Sequence, residues 1–398
     1  MDLDFPSAMA DPKLPRTPKW PTHNAPRVWF LTCANSPIGI SLCRHLVAHG
    51  DYVTAGVQPT EFEREEERSR DFKDFLEELA SPLAAKEGEE DGGSKEEMSE
   101  KDREKAEKEE KERELWRSRL RVVALDVRIM GQCQSAVAEA VRCFGRVDIL
   151  FCCQSEVVVG TVEELAQSPR TLSLVKDQFE TNFFGPVNII KATLPVFRSK
   201  KNGHIVLLTA VTGHLGTPGL SMYCASQWAI EGYCDSLAYE IAPFNIKMTI
   251  VQPNMEINVL THRITSAPPM ACYTDENNPA PLSRNILSSL LDRIEGSDEP
   301  TTGDQLHSNE VTSLYPPLSR GMKERLVAET VHAVAAIGGH DNPPARHIVG
   351  LEGVTTVKEK LKTVSEELEE FVECSGAVDI EKPGDNAQTP GQNITIPG

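Results

Sequence analysis

The chain has 398 residues, enough for one large α/β domain with additions or for two small domains. Its formal net charge of −19 at pH 7 argues against binding to nucleic acid or to anionic membranes. The sequence contains no secretory signal pattern and no apolar run of about 20 residues that would span a membrane. The ten cysteines form no C-x-x-C pair, so we expect reduced thiols in a cytoplasmic protein without a metal site.

The first part of the chain predicts two strands joined through a helix. Residues 1–26 show no periodicity, and we expect a disordered leader there. Residues 27–31 and 52–57 are short apolar runs typical of buried parallel strands. Between them a polar loop leads into a helix that stops at Gly50.

A charged stretch of about residues 61–118 separates the second strand from the third, and we interpret it as an insertion. Residues 61–80 carry apolar residues at helical spacing, whereas residues 81–100 are acidic and are predicted to be disordered. Residues 101–119 contain Glu–Lys and Glu–Arg pairs in the i,i+4 order that favours a solvated helix. Two interpretations remain open: a surface excursion without a function, or an arm that docks another protein.

Two further apolar runs, residues 120–127 and 147–151, predict the third and fourth strands. A helix is predicted between them over residues 135–144, and a long helix follows over residues 172–197. The third strand ends in an aspartate, and the long helix contains an Asn-x-x-Gly sequence. An alternating pattern of this kind predicts a parallel sheet covered by helices.

The most informative stretch runs from Gly203 to Asn254. It predicts a buried strand, a Gly/Pro-rich loop, a helix and a second strand, the regular elements being residues 205–208, 221–242 and 247–251. Ser221 is a plausible N-cap for the helix. This order is a βαβ unit, and the helix begins with the sequence Tyr223-Cys224-Ala225-Ser226-Gln227.

The chain after residue 254 predicts a loop region, about residues 254–320, followed by a closing strand and helices. Within and beyond that region we expect helices at residues 286–294, 322–337 and 357–372, a polar flexible segment at 295–320, and a last strand near 343–350. Residues 374–398 are predicted to be a disordered tail.

These motifs resemble the short-chain dehydrogenase/reductase family. Tyr223 stands at the tyrosine of the family's Tyr-x-x-x-Lys helix, Pro253 at the proline after the next strand, and Asn182 in its Asn-x-x-Gly stretch. The resemblance covers residues 27–372 apart from the insertion. It implies an α/β fold class, a Rossmann-like doubly wound parallel sheet in three αβα layers, as a single domain over residues 27–373.

The resemblance also implies roles for individual residues. Tyr223 would exchange a proton with the substrate, and Asn182 would hold a water in the proton relay, unless it only bonds the backbone at a helix irregularity. The cofactor would be NAD or NADP, held by residues of three strand ends: Thr32, Ser36, Ile38, Gly39, Asp126, Val127 and Pro253. The implied partners are a hydrophobic small-molecule substrate and a second copy of the chain, in a homodimer formed by the helices that hold Asn182 and Tyr223.

Several residues depart from the family's pattern where the chemistry occurs. Gln227 stands at the catalytic lysine and Ala210 at the catalytic serine. Without a lysine ammonium nearby, the tyrosine pKa should not fall toward neutrality, because an ammonium favours the phenolate. An ordinary dehydrogenase rate is therefore not expected.

The nucleotide loops depart from the pattern as well. Cys33 and Pro37 replace two of the three glycines that give a dinucleotide loop its tight turn and its close approach to the pyrophosphate. Gln58 stands where an acidic residue would select NAD and an arginine NADP. The family's Asn-Asn-Ala-Gly after the fourth strand is replaced by Cys152-Cys153-Gln154-Ser155.

Three hypotheses follow from these observations. The first is a catalytically degraded family member that acts as a binding, scaffold or nucleotide-sensing protein. The second is an active NAD(P)(H)-dependent oxidoreductase with an atypical site, which interconverts a hydrophobic carbonyl and alcohol of the steroid, retinoid or lipid type. The third takes the charged stretch of residues 101–119 as the functional element, with the fold as its carrier.

Overall fold

A seven-stranded, fully parallel sheet organises the chain, in the strand order β3-β2-β1-β4-β6-β7-β10. The computed structural model describes residues 25–63, 67–80, 100–273, 282–295, 302–372 and 374. The strands of this sheet are β1 (Val28–Leu31), β2 (Tyr52–Val57), β3 (Leu120–Ala124), β4 (Ile149–Cys152), β6 (Gly203–Leu208), β7 (Ile246–Gln252) and β10 (Arg346–Ile348).

Twelve helices are described, and most of them cover the two faces of this sheet. Their bounds are α1 (Pro37–His49), α2 (Pro59–Glu63), α3 (Glu67–Ala80), α4 (Glu100–Arg119), α5 (Met130–Phe144), α6 (Pro169–Phe179), α7 (Gly185–Lys200), α8 (Ser221–Ile241), α9 (Met255–Thr261), α10 (Ser283–Glu295), α11 (Arg320–Ile337) and α12 (Leu351–Glu370).

Strand alternation divides the core between the two faces. Trp29 and Leu31 point to one face of β1 and pack with α1, α3 and α11, whereas Phe30 points to the other face and packs with α5, α7 and α8. Successive side chains of a strand must alternate in this way, so a strand buried on both faces reads as a continuous apolar run. The predicted fold class, a doubly wound parallel sheet in three layers, is confirmed.

A second, three-stranded sheet lies beside the ends of the central strands. It consists of β5 (Val157–Val159), β8 (Ile264–Ser266) and β9 (Thr312–Leu314), with β8 in the middle. β5 pairs with β8 in parallel, and β8 with β9 antiparallel. These strands have three residues each, too few to show a pattern in the sequence, and they were missed.

The insertion between β2 and β3 is helical, comprising α2, α3 and α4. Phe72 and Phe75 of α3 are buried in the core, and Trp116 of α4 packs against the same cluster. The insertion is therefore attached to the domain through aromatic residues, while its charged side chains that are described remain mostly exposed. The predicted ion pairs of α4 involve side chains outside the described residues.

The structure corrects three predictions about local structure. The helix predicted over residues 172–197 is two helices, α6 and α7, separated by a π-helical turn, Glu180–Phe184. Ser221 is the first residue of α8 rather than its N-cap, which is Leu220. The segment 295–320, predicted to be flexible, contains β9 and a short 3-10 helix, Thr302–His307, in its described part.

The chain forms two compact units, residues 1–354 and 355–398. The first unit contains both sheets. The second contains the greater part of α12. None of the helices described is both long enough and apolar enough to cross a membrane. Most of the predicted leader, of the acidic stretch 81–100 and of the predicted tail lies outside the described residues.

Candidate active site

The predicted site residues follow β1, β3, β6 and β7 at the carboxyl edge of the parallel sheet, the edge where open α/β sheets bind ligands. The first is Thr32, after β1. Its Oγ1 accepts a hydrogen bond from the Cys153 N–H at 3.1 Å. Thr32 therefore ties the end of β1 to the end of β4, and it is 4% exposed.

The loop between β1 and α1 brings the start of the helix close to the end of the strand. Ser36 caps α1 by accepting a hydrogen bond from the Gly39 N–H at 3.0 Å. A Cβ at Gly39 would lie 2.3 Å from the Cys33 carbonyl oxygen, so the helix can approach the strand end only because this residue is glycine.

The same loop offers few donors to a phosphate. Pro37, at the first helical position, has no N–H. The Gly39 N–H already donates to Ser36 Oγ. Of the three first-turn positions, Pro37 thus has no N–H and Gly39 has one that already donates to Ser36. Anion binding at helix N-termini depends on these groups.

Asp126, the predicted adenine partner, is engaged within the protein. Its two carboxylate oxygens accept from Arg128 Nε at 2.9 Å and Arg128 Nη2 at 2.7 Å. Gln58 Nε2 donates to the same carboxylate at 3.4 Å. Partial burial would raise the pKa of Asp126, but these hydrogen bonds and the Arg128 charge outweigh it and lower the pKa.

A segment after β9, Tyr315-Pro316, covers the phosphate loop, and we call it the strap. Glu61 lies between the two: its carboxylate accepts from Asn35 Nδ2 at 3.1 Å and from the Tyr315 hydroxyl at 3.3 Å. The gap that Pro37 and Leu260 share with the strap encloses about 20 Å³. That is room for about one water molecule between Pro37 and the strap.

Tyr223 is fully buried, at 0% exposure, in the apolar cluster that also contains Leu220, Val259 and Leu287. Burial raises the pKa of its phenol to about 12, and a hydrogen bond from Asn258 Nδ2 at 3.4 Å opposes this only in part. The phenol is therefore almost entirely protonated at neutral pH.

Asn258 is the site residue that sequence reasoning missed. It lies on α9, is 1% exposed, and its Nδ2 also donates to the Thr209 carbonyl at 2.7 Å. Asn258 Oδ1 is buried without a hydrogen-bond partner in the described part of the chain. The only signal was its place five residues after Pro253, in the loop expected to close over substrate.

The residues that stand at the family's lysine and serine positions near Tyr223 are uncharged. Gln227 lies one helical turn further along α8 and is 4% exposed, and Ala210 is buried. Thr209 points to the opposite side, where its hydroxyl donates to Glu231 at 2.8 Å, as strand alternation predicts. Thr212 Oγ1 is buried and has no partner among the described residues.

Asn182 lies in the π-helical turn between α6 and α7. Its Oδ1 accepts from the Glu156 N–H at 2.8 Å, and its Nδ2 donates to the Glu156 carbonyl at 2.9 Å and to Ser226 Oγ at 3.2 Å. Its side chain thus bonds the backbone at a helix irregularity, which was the structural alternative to a proton relay.

The remaining predicted residues are Val127, Pro253 and Ile38. The first two accept hydrogen bonds through their backbone carbonyls. Val127 follows Asp126, and its carbonyl accepts from Asn188 Nδ2 at 3.1 Å. The Pro253 carbonyl accepts from the Val211 N–H at 3.1 Å, which joins the ends of β6 and β7. Ile38 is buried in α1.

A buried ion pair fixes the loop region beside Tyr223. Arg284 of α10 and Glu164 are 3% and 1% exposed, and Nη2 of the arginine is 2.8 Å from Oε2 of the carboxylate. Arg284 Nη1 also donates to the carbonyls of Ala267 and Leu306, at 2.7 and 2.8 Å. The pair joins α10 to segments flanking the small sheet.

A cavity of about 1130 Å³ lies away from Tyr223, between α1 and α11. It is lined by apolar residues such as Ile40 and Val331, with His45 and His332 among the polar ones. Neither Tyr223 nor Asn182 lines it.

The family profile described as short chain dehydrogenase matches residues 92–266. Retinol dehydrogenase 8 of Homo sapiens is 30% identical over 195 residues, covering 46% of this chain and 59% of that protein. The 3-ketodihydrosphingosine reductase of Bacteroides thetaiotaomicron is 37% identical over 135 residues, 34% of this chain and 48% of the reductase. The chain thus spans about half the length of these curated relatives.

A solved structure supports the same assignment at the level of the fold. The short-chain dehydrogenase from Streptomyces avermitilis superposes with a TM-score of 0.58 at 23% identity, covering 90% of this chain and all of that one. The profile match, the curated relatives and the fold together support membership of the short-chain dehydrogenase/reductase family. Binding of NAD(P) is general to this family.

The residues expected to hold a dinucleotide offer few free groups in the arrangement described. Pro37 has no N–H, the Gly39 N–H donates to Ser36, and the Asp126 carboxylate accepts from Arg128. The strap borders the loop at Pro37, beside a gap of about 20 Å³. A phosphate bound at Pro37 would therefore have to displace the strap.

Proposed function

We propose that the protein is a catalytically degraded short-chain dehydrogenase/reductase that acts by binding rather than by hydride transfer. The observation that carries this proposal is the state of Tyr223. Its phenol is buried, its pKa is raised to about 12, and Gln227 stands where the family has a lysine. A proton acceptor with this pKa is almost never ionised at neutral pH, so it is a poor general base.

The neighbours of Tyr223 support the same conclusion. Ala210 has no hydroxyl to polarise a carbonyl, and Thr209 is directed to Glu231. Loss of one such donor typically costs about 10²–10³ in rate, and loss of a positioned acid–base group about 10²–10⁴. These losses need not multiply within one catalytic unit, but either alone removes an ordinary turnover rate.

The role that remains is binding, with nucleotide sensing as its specific form. The strap would then act as the sensing element, because it must leave the phosphate loop before a dinucleotide enters. The hydrogen bonds from Asn35 and Tyr315 to Glu61 hold it in the closed position.

The deciding experiment titrates the purified protein with NADH and NADPH, following cofactor fluorescence and thermal stability. Turnover is then assayed with a panel of retinoid, steroid and 3-keto lipid substrates. We expect weak but measurable cofactor binding, as a nucleotide sensor requires, and no turnover. NAD(P)H-dependent turnover that is lost in Tyr223→Phe would overturn the proposal.

A second experiment restores the family's residues. It distinguishes missing catalytic groups from a cleft that excludes the cofactor. Ala210→Ser with Gln227→Lys restores the family's catalytic residues, and Pro37→Gly restores a phosphate donor. If the catalytic pair alone produces turnover, the cleft admits cofactor and only the chemistry was missing. If turnover needs Pro37→Gly as well, cofactor binding was also lost. If all three substitutions together remain inactive, the strap excludes the cofactor.

A second candidate function is an oxidoreductase that acts on a hydrophobic alcohol or carbonyl through an atypical site. The hydrogen bond from Asn258 to the Tyr223 hydroxyl favours it, because an amide could orient the phenol in the absence of the serine. The apolar cluster around Tyr223 and the similarity to a retinol dehydrogenase and a sphingoid-base reductase support a lipid-like substrate. Activity that depends on both Tyr223 and Asn258 would establish it.

We also propose a homodimer formed through α7 and α8. Phe184, at the turn before α7, and Trp228 and Tyr239 of α8 are 46%, 51% and 85% exposed, as an uncovered interface would be. Trp228→Glu should then convert dimers to monomers in sedimentation velocity, and an unchanged dimer would exclude this surface.

A further inference from the structure

Buried polar atoms that lack a hydrogen-bond partner gather around the Tyr223 hydroxyl. Ser155 Oγ and Asn258 Oδ1 have no such partner in the described part of the chain. Asn258 Nδ2 donates to the phenol at 3.4 Å. Burial raises the pKa of Tyr223, and Asn258 and then Ser155 oppose this rise, so the Ser155 hydroxyl also lies close to the phenol. Unpaired buried polar groups cost stability, and two of them at one point call for a ligand that pairs with both.

Ser155 brings a hydroxyl to a position where the family has glycine, the last residue of its Asn-Asn-Ala-Gly. β4 and β6 pair in parallel, with Cys152 beside Leu207. The same register, continued by three residues on both strands, places Ser155 level with Ala210. The hydroxyl that is missing at Ala210 thus has a counterpart after the neighbouring strand.

The orientation of the Asn258 amide is fixed by the backbone. Its Nδ2 donates to the Thr209 carbonyl at 2.7 Å, and a carbonyl oxygen can only accept. Turning the amide round would place two acceptors against each other. Asn258 Oδ1, on a side chain that is 1% exposed, is therefore the atom left without a partner among the described residues.

The three groups together match the hydrogen bonds of a hydroxyl. Tyr223 keeps its proton at neutral pH, since burial raises its pKa to about 12, so Tyr223 and Ser155 are both donors. Asn258 Oδ1 is the acceptor. A hydroxyl has one proton to donate and two lone pairs that accept, whereas a ketone has no proton for Asn258. The surrounding side chains, among them Leu220 and Val259, are apolar.

We propose that Tyr223, Ser155 and Asn258 bind the hydroxyl of an apolar alcohol and select it over the corresponding ketone. Tyr223 and Ser155 donate to the alcohol oxygen, and the alcohol donates to Asn258 Oδ1. This binding mode rests on the proposed function, because Tyr223 acts as a hydrogen-bond donor and not as a base. Tyr223 is fully buried, so the alcohol has to displace part of the apolar cluster. Met255 of α9 packs on that cluster and is partly exposed, and we expect entry on its side.

The first test titrates the full chain, without cofactor, by isothermal titration calorimetry. The probes are two matched pairs, menthol with menthone and cyclododecanol with cyclododecanone. Each pair shares one carbon skeleton and differs only in the oxygen group. We expect each alcohol to bind about tenfold more tightly than its ketone, because the ketone leaves Asn258 Oδ1 unpaired. Equal binding of alcohol and ketone, or no binding of either alcohol, would overturn the proposal.

The second test repeats the titrations with variants at positions 155 and 330. Ser155→Ala should weaken alcohol binding about fivefold, because one hydrogen bond to the alcohol is lost. It should not lower the melting temperature, because Ser155 Oγ has no partner among the described residues. Thr330→Val is the matched control, since Thr330 Oγ1 of α11 is also buried and lacks a partner there, and it should leave alcohol binding unchanged. Alcohol binding that Ser155→Ala does not weaken would place the alcohol elsewhere, such as the cavity between α1 and α11, and the proposal would be wrong.

The role of Asn258 is tested by the ratio of the two affinities. Asn258→Ala should remove most of the preference for alcohol over ketone, and this ratio does not depend on how much of the variant is folded. A preference that persists in Asn258→Ala would contradict the selection by its Oδ1. Failure of alcohol binding would leave the cofactor titrations of the proposed function untouched. NAD(P)H-dependent turnover would instead overturn that function without changing these affinities.

Discussion

Tyr223 and Gln227 lie one turn apart on α8, so the charge of residue 227 acts directly on the ionisation of the Tyr223 phenol. Lysine at position 227 would place an ammonium near the hydroxyl and stabilise the phenolate. Glutamine supplies no charge, so the desolvation of the buried phenol dominates the pKa of Tyr223. The ionisation of Tyr223 therefore depends on the charge of the residue at position 227.

The first prediction tests this dependence directly. Gln227→Lys should lower the pKa of Tyr223 from about 12 by roughly one unit or more, because the added cation favours the phenolate. Ultraviolet difference titration against the same protein with Tyr223→Phe isolates this phenol. Gln227→Met, which adds no charge, is the control. A Tyr223 titration that the lysine leaves in place would show that position 227 is directed away from the hydroxyl.

The second prediction concerns Asn182, whose side chain bonds both backbone groups of Glu156, although the carbonyl also accepts from Gln178 Nε2 at 3.0 Å. Asn182→Ala should lower the free energy of unfolding by about 1–3 kcal/mol, because it leaves the buried Glu156 N–H without this partner. Asn188→Ala, which removes a partly exposed hydrogen bond to Val127, is the control and should cost less. Urea unfolding of both variants checks the prediction. Equal losses would mean that Asn182 contributes no more than a surface amide.

At the scale of elements, the strap and the loop region decide access to the site. β9 holds the strap on the small sheet, and Glu61 of α2 holds it on the phosphate loop. The insertion between β2 and β3 therefore begins with a residue that closes the cofactor cleft. No local pattern predicts this contact, since Glu61 and Tyr315 are 254 residues apart.

The third prediction is that Tyr315→Phe loosens the strap. Losing one hydrogen bond of about 1 kcal/mol should shift the closed–open equilibrium roughly fivefold toward open. Hydrogen exchange should rise over residues 312–316, and any NADH or NADPH affinity should increase by a similar factor. Tyr273→Phe, whose hydroxyl bonds Glu163 at an exposed site, is the control. Unchanged exchange in the Tyr315 variant would show that the hydroxyl does not hold the strap.

The fourth prediction addresses the buried pair of Glu164 and Arg284. Arg284→Met should destabilise the protein by about 3–5 kcal/mol, because the Glu164 carboxylate is left buried without its cation. Adding Glu164→Gln should recover part of this loss, since the amide is neutral. Urea unfolding of the single and double variants measures both effects. A single variant as stable as the double one would mean that the carboxylate finds another partner.

At the scale of the whole molecule, the sheet core determines how stability depends on pH. His204 of β6 is 1% exposed. Its Nδ1 accepts from the Gly339 N–H at 3.0 Å, and its Nε2 is 2.9 Å from Thr249 Oγ1. Burial first, and then the charges of Lys247 and His340, lower the pKa of His204 to about 3. The ring is therefore neutral in the folded protein over the whole range in which an exposed histidine titrates.

The fifth prediction follows from the sign of this shift. Between the unfolded pKa of about 6.5 and the folded pKa of about 3, only the unfolded chain binds the proton. His204 should therefore remove about 1.4 kcal/mol of stability for each pH unit below 6.5. His204→Gln should flatten this acid-side slope, whereas His340→Gln at an exposed site should not. Urea unfolding from pH 7 to pH 4 measures the slope. A slope that His204→Gln leaves unchanged would place the titrating group elsewhere.

The sequence by itself determined the central fold and the residues that stand at positions 210 and 227. Continuous apolar runs specify strands buried on both faces, helical periodicity specifies the covering layers, and the residues at positions 210 and 227 are read directly. These features are local, so one stretch of chain is enough to recognise them.

Only the tertiary structure decided how the remaining groups meet. The contact of Asn258 with Tyr223, the engagement of Asp126 by Arg128, and the strap over the phosphate loop depend on side-chain direction and on loops that pack from distant parts of the chain. The three-residue strands of the small sheet are stabilised by pairing across more than 40 residues and have no local pattern. Non-local packing of this kind sets burial, and burial sets the pKa of Tyr223.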